Sequence, residues 1–236
     1  MSLLVNEVVN DWDELTYVPT TLGKVLLGLI VFALIFVAAV LTAAKDTQKS
    51  AAANKKKGKT ILTVKQLAFC AMAVALGTIL SNIKLFHFPT GGSITLLSML
   101  VICLPGFFFG LVPGILTALA YGVFQMLIDP YILFPAQLIV DYLLAFGALG
   151  LSGLFANSKL GLLKGYITAV LGRYIFAVLS GWIFFGAYAW DGWGALPYSL
   201  VYNGIYIFAE AIVTIVIISI PPVKNAFTRI KTMANE

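Results

Sequence analysis

Three ionisable side chains, Asp141, Arg173 and Glu210, stand inside long apolar runs of this chain. At the centre of a membrane helix each such charge costs about 3 kcal/mol, so each needs an ion pair, a hydrogen bond or a ligand. For any one of the three the sequence leaves those options open. Asp141 has the richest surroundings. Gln137 stands one helical turn before it on the same face, and Tyr142 follows it directly. Aromatic residues gather at the same end of the apolar runs: Tyr131, Phe134, Phe184, Phe185, Tyr188, Trp190, Trp193 and Tyr198. An interfacial belt accounts for part of this set. The segment 184–198 (FFGAYAWDGWGALPY) is so dense in rings and glycine that it reads as a loop folded over something flat. Asn203, one or two turns into the last helix, can both donate and accept hydrogen bonds. A carboxylate among ring faces suits a planar cationic heterocycle. Each ring adds about 0.5–2 kcal/mol of cation–π attraction, and Asp141 supplies the counter-charge.

Other chemistries find little support. The single histidine, His87, reads as an ordinary loop residue, and with two distant cysteines (Cys70 and Cys103, read as buried free thiols) it makes no transition-metal site. No cofactor is expected. There is no Gly-x-Ser-x-Gly elbow and no clustered Asp motif, so a membrane enzyme acting on lipid is a weaker reading, as is an assembly protein. Gly58-Lys59-Thr60 resembles the end of a phosphate-binding loop. Ala53 stands where that loop needs glycine and no strand precedes it, so any ATP dependence belongs to a partner.

The elements that position these residues follow from hydropathy. Of 236 residues, 61% are hydrophobic and 11% charged, too little charge to cover a water-facing surface. Backbone in hydrocarbon must satisfy its own hydrogen bonds, and the runs lack the alternation of barrel strands, so the fold class is an all-α integral membrane protein. The first span, Val25–Ala44, follows an acidic stretch and reads as a retained helix rather than a signal peptide. After a basic linker at 45–60 come six further spans at roughly 62–82, 93–104, 107–126, 135–155, 162–185 and 198–220, the second and third split at Pro105-Gly106. Pro135 and Pro197 fall where helix starts are expected. The chain thus divides into residues 1–60 (acidic N-terminus, extra helix and linker) and a six-helix membrane domain at 61–236.

Lys45, Lys49, Lys55, Lys56, Lys57, Lys59, Lys65, Lys159, Lys164, Lys224, Arg229 and Lys231 all fall on one side of that arrangement. The positive-inside rule makes that side cytoplasmic, with the N-terminus and the aromatic loops outside. The net charge of +5 therefore faces the membrane surface and is no sign of nucleic acid. Ala71 and Ala75, like Ala73 and Gly77, stand four apart on one span, a spacing that admits a close helix neighbour from the bundle or from a partner. Gly106, Gly110 and Gly114 form a similar ridge, assigned to internal packing.

Residues from about 62 to 221 resemble the thiamine-specific substrate-binding (S) components of energy-coupling factor (ECF) vitamin transporters, the ThiT family. The resemblance rests on 89–93 (PTGGS), 137–155 (QLIVDYLLAFGALGLSGLF), 173–190 (RYIFAVLSGWIFFGAYAW) and 198–203 (YSLVYN), in the family's order and spacing. It implies a six-helix bundle binding thiamine, as transported ligand, from outside a bacterial plasma membrane. It also implies docking to a transmembrane coupling subunit driven by two ATPases. On that footing the ligand pocket holds Asp141, Tyr142, Tyr131, Tyr198 and Asn203, with Gln137, Phe185, Trp190 and Trp193 beside them, and Ala71 and Ala75 form the docking face. Two positions depart from the family: its pocket histidine falls on Ala177 and a pocket tryptophan on Phe185. A thiamine precursor or another small heterocycle is the alternative cargo.

Overall fold

The computed structural model describes residues 5–9, 15–22, 25, 62–88 and 91–236. Most of the expected first span (Val25–Ala44) and the linker at 45–60 lie outside the described residues. Near the N-terminus, β1 (Val5–Val9) pairs antiparallel with β2 (Leu15–Pro19), an addition to the all-helical expectation.

Helix α1 (Val64–Asn82) starts at a capping box: Thr63 Oγ1 accepts from Gln66 N at 3.2 Å, and Thr63 N donates to Gln66 Oε1 at 3.0 Å. A short hairpin follows, β3 (Lys84–His87) against β4 (Ser93–Thr95). Then come α2 (Ser98–Phe109), α3 (Leu111–Ile128) and α4 (Leu138–Phe155), whose first half, Leu138–Ala145, is π-helical and whose second, Ala148–Phe155, is 3₁₀. Helices α5 (Gly161–Phe184) and α6 (Ala195–Ser219) complete the bundle, and α7 (Pro221–Asn235) lies beyond it. Among the described residues five helices are long and apolar enough to cross a membrane, while α2 has only 12 residues. No more than 44% of any such span is buried inside the bundle, leaving residues such as Ile79, Ile175, Ile183 and Ile212 on its outside. That outward apolar surface is what hydrocarbon requires.

The turn between α2 and α3 is not at Pro105-Gly106, which lies within α2, but at Gly110. Gly110 has φ +96°, which a residue with a Cβ adopts only under strain, so it ends one helix and opens the next. Gly106 and Gly114 do serve internal packing. A Cβ on Gly106 would lie 2.8 Å from Gly153 N, and one on Gly114 would lie 2.7 Å from Gly150 O, so α2, α3 and α4 meet backbone to backbone. Pro135 sits in the turn before α4 and Pro197 in the first turn of α6. Both cysteines are free and buried.

The two small-residue pairs of α1 part company. Ala73 and Gly77 are buried against the bundle, where a Cβ on Gly77 would lie 2.6 Å from Ile102 Cδ1, while Ala71 and Ala75 are exposed. Helix α7 has no counterpart among the expected spans, because its apolar residues Val223, Phe227 and Ala234 mark one face rather than a continuous run. It crosses the end of the bundle remote from the hairpin. There Asn235 Nδ2 donates to Phe108 O at 3.1 Å, Lys65 Nζ donates to Met233 O at 2.6 Å, and Lys231 donates to Ala156 O while lying over the Phe107 ring.

Candidate functional site

A cavity of about 400 Å³ opens where the β3–β4 hairpin and the α3–α4 and α5–α6 connections converge. Gln137 at the N-cap of α4, with Asp141 and Tyr142 from the helix itself, comes to its wall, and α5 brings Arg173, Ala177, Ser180 and Gly181, followed by Phe185. Helix α6 adds Tyr198, Tyr202, Asn203 and Tyr206; Tyr131 and Asp129 come from the α3–α4 connection. Of the residues predicted from the sequence, Asp141, Tyr142, Tyr131, Tyr198, Asn203, Phe185 and Gln137 all meet here. Asp141 falls on the π-helical turns of α4, a rare geometry that recurs at functional sites.

Gln137, only 1% exposed, organises this side of the cavity. Its Oε1 accepts from Leu133 N at 2.9 Å, and its Nε2 donates to Tyr131 O at 3.0 Å and to Asp141 Oδ2 at 2.9 Å. One amide thus sets the loop bearing Tyr131 and aims the carboxylate. The Tyr142 hydroxyl is equally committed: it accepts from Tyr131 N at 2.8 Å and donates to Asp129 O at 3.3 Å, leaving its ring for the cavity. Asn203 is 5% exposed and fully engaged, donating to Ser199 O (2.9 Å) and Ser199 Oγ (3.0 Å) and accepting from the Tyr206 hydroxyl (2.7 Å). Its amide therefore holds α6 in shape and orients Tyr206.

The three charges within the spans separate by role. Asp141 and Arg173 line the cavity, and the Arg173 guanidinium lies 4.5 Å from the centroid of the Phe146 ring. Glu210 does not line it. Its carboxylate accepts from Thr95 N (3.2 Å), Thr95 Oγ1 (2.6 Å) and Met99 N (3.0 Å), tying α6 to β4 and to the uncapped start of α2. At the rim Lys84 Nζ pairs with Asp129 Oδ2 at 2.5 Å.

The aromatic prediction needs one correction. Phe185 stacks on Tyr131, with ring centroids 6.0 Å apart and planes 14° apart, and both line the cavity. Trp190 and Trp193 do not line it. They are 44% and 45% exposed, pack edge to face on each other, and Trp190 backs Tyr198 at 5.2 Å. Ring density in 184–198 is a property of composition, whereas the turn at Gly192 (φ +78°) helps set where each ring ends up.

Tyr202, Tyr206 and His87 line the cavity without having been singled out for it. The tyrosines had a signal: Tyr198, Tyr202 and Tyr206 recur every four residues, one stripe of α6. His87, read as an ordinary loop residue, has Nδ1 2.8 Å from Ser93 Oγ and reaches the wall through the hairpin. The glycine pair of the 89–93 motif explains how the hairpin approaches. A Cβ on Gly91 would lie 2.9 Å from Tyr131 Cδ1, and one on Gly92 would lie 2.7 Å from Tyr206 Cδ1, while Gly92 N donates to the Tyr202 hydroxyl at 3.1 Å. Gly92→Ala is therefore expected to push the hairpin off the tyrosine stripe and weaken ligand binding about tenfold. Titration calorimetry of the variant checks this, and unchanged affinity would show that the hairpin does not close the cavity.

Comparison with known proteins agrees with this geometry. A solved structure of ThiT from Listeria monocytogenes superposes with a TM-score of 0.56 at 28% identity, covering 66% of this chain and 94% of that one. The thiamine transporter ThiT of Bacillus subtilis (strain 168) is 34% identical over 103 residues, 43% of this chain and 53% of the relative. The match thus spans about half the length of that relative. The family model described as thiamine transporter protein (Thia_YuaJ) matches residues 67–230, which hold the whole bundle from the first turn of α1 into α7 and every cavity residue described above. On that match the chain belongs to the thiamine transporter protein family.

Proposed function

We propose that this chain is the substrate-binding component of an energy-coupling factor importer and that its cavity takes thiamine from outside a bacterial plasma membrane. The observation that carries the reading is Asp141: a carboxylate aimed by Gln137 into a cavity walled by Tyr131, Phe185, Tyr198 and Tyr202. A planar cation gains ring-face attraction there and a counter-charge in the same place. Lys65, Lys159, Lys164, Lys224, Arg229 and Lys231 sit on elements at the opposite end of the bundle. That asymmetry supports a cytoplasmic C-terminus and an outward-facing cavity.

Energy for transport comes, in this reading, from two ATPase subunits acting through a membrane coupling subunit. The exposed Ala71 and Ala75 of α1 offer that subunit a close approach. The chain itself is a binding component and not an enzyme. Ala177 favours one variant of the reading, in which a thiamine precursor or another small heterocycle is the cargo, since a methyl group contributes no hydrogen bond at that point of the wall.

Trp190 rests on Tyr198, so a ligand that moves the tyrosine changes the indole's surroundings. Sub-micromolar thiamine is expected to quench tryptophan fluorescence of the purified chain. A flat titration, together with calorimetry showing no heat, would sink the thiamine assignment. Competition by the separate pyrimidine and thiazole halves distinguishes the precursor reading, which requires one half to bind as tightly as the whole.

A further inference from the structure

Most polar groups around the cavity are already engaged: Gln137, Tyr142 and Asn203 spend their hydrogen bonds on the protein. Ser180 does not. It is 1% exposed, lines the cavity, and its Oγ has no hydrogen-bond partner. Two other buried hydroxyls among the described residues share that condition, Thr78 and Tyr166, but neither lines the cavity. Helical hydroxyls elsewhere in this chain bond back to the carbonyl four residues earlier: Thr117 to Pro113, Thr214 to Glu210 and Ser219 to Ile215. Ser180 forgoes that bond. An unpaired buried hydroxyl is unfavourable and rare enough to need a reason.

Its placement supplies one. Ser180 follows Ala177 on the cavity face of α5, and its hydroxyl lies close enough to the Asp141 carboxylate to interact with it, though not in the geometry of a formed hydrogen bond. The adjoining Gly181 keeps α5 tight against α6, since a Cβ there would collide with Ser199 Oγ and come within 3.0 Å of Asn203 Nδ2. Ser199 Oγ in turn donates to Val178 O at 2.8 Å. The hydroxyl therefore stands on a rigid wall beside the Asp141 carboxylate. That pair offers one donor and one acceptor side by side, the complement of a heteroaromatic ring edge with an amino group next to a ring nitrogen.

We propose that Ser180 is a specificity-determining residue: its hydroxyl donates to the ring nitrogen of an aminopyrimidine whose amino group faces Asp141 Oδ1. This rests on the thiamine reading above and assigns which edge of the ligand meets α5. No partner in the unliganded protein is needed, because the ligand supplies it.

The test compares Ser180→Ala with wild type for thiamine and for oxythiamine, in which a carbonyl and a ring N–H replace the amino group and the acceptor nitrogen. Wild type is expected to prefer thiamine. Ser180→Ala is expected to bind thiamine about fivefold more weakly, the effect of one lost buried hydrogen bond, and oxythiamine within twofold of wild type. Without ligand the variant is expected to melt no lower than wild type, because the hydroxyl it loses makes no well-formed hydrogen bond to the protein. Equal thiamine affinity in variant and wild type overturns the proposal, as does an equal loss for both ligands. If wild type itself binds no thiamine, the thiamine reading fails first and the inference goes with it.

Discussion

Asp141→Asn is expected to weaken thiamine binding tenfold or more. The substitution keeps the size and the hydrogen bond with Gln137 Nε2, since an amide oxygen can accept where Asp141 Oδ2 does now. What it removes is the negative charge, and a tenfold loss corresponds to about 1.4 kcal/mol, a modest figure for an opposite charge beside a half-buried carboxylate. The neighbouring Arg173 sharpens the expectation. With Asp141 neutral, the cavity wall keeps the Arg173 guanidinium 4.5 Å from the Phe146 centroid, while its remaining carboxylate, Asp129, is paired with Lys84 at the rim, so a cationic ligand meets net repulsion. Calorimetric affinities for wild type and variant decide the matter. Equal values would mean that the carboxylate does not face the ligand's charge, and a neutral heterocycle would then fit the cavity better than thiamine.

The second large effect concerns stability. Glu210→Ala deletes the acceptor for Thr95 N, Thr95 Oγ1 and Met99 N at once. Two backbone N–H groups lose their partner in a region where Glu210 is 4% exposed and Ser98 2%, so water does not readily replace it. The expected cost is about 3–5 kcal/mol, which for a chain of this length lowers the melting temperature by roughly 10 °C. Glu210→Gln keeps one accepting oxygen and is expected to fall between. Thermal unfolding in detergent, followed by intrinsic fluorescence, measures both. A Glu210→Ala protein that melts with wild type would remove the carboxylate from the structural role assigned to it. Because Thr95 belongs to the hairpin at the cavity rim, the Ala variant is also expected to bind ligand more weakly than its folded fraction alone explains.

Glu210 also shows where reading the chain in one dimension stops. Its cost inside an apolar run was plain, but its partners lie 111 and 115 residues away, and nothing in its own stretch of sequence names them. Asn203 shows the converse. A buried amide near a carboxylate looked like a ligand contact, yet its donors and acceptor are taken up by Ser199 and Tyr206 on its own helix. The same limit applies to the rings. Tyr131 and Phe185 were expected at the cavity and stack there, whereas Trp190 and Trp193, equally prominent, sit outside it.

Membrane residence, the positions of the six later spans to within about five residues, and the grouping of Asp141 with aromatic residues were all legible in the sequence. Hydropathy and charge are properties of single residues summed over a window, and packing does not alter them. The tertiary structure alone decided the turn at Gly110, the helix Pro221–Asn235 across the far end, and which polar atoms at the cavity are spent and which are free. A hydrogen bond needs two groups at a set distance and angle, and the chain brings most of these partners together only when the helices close around one another. Asp141 was visible from the start; that Gln137 aims it, and that Ser180 waits beside it unpaired, became visible only in three dimensions.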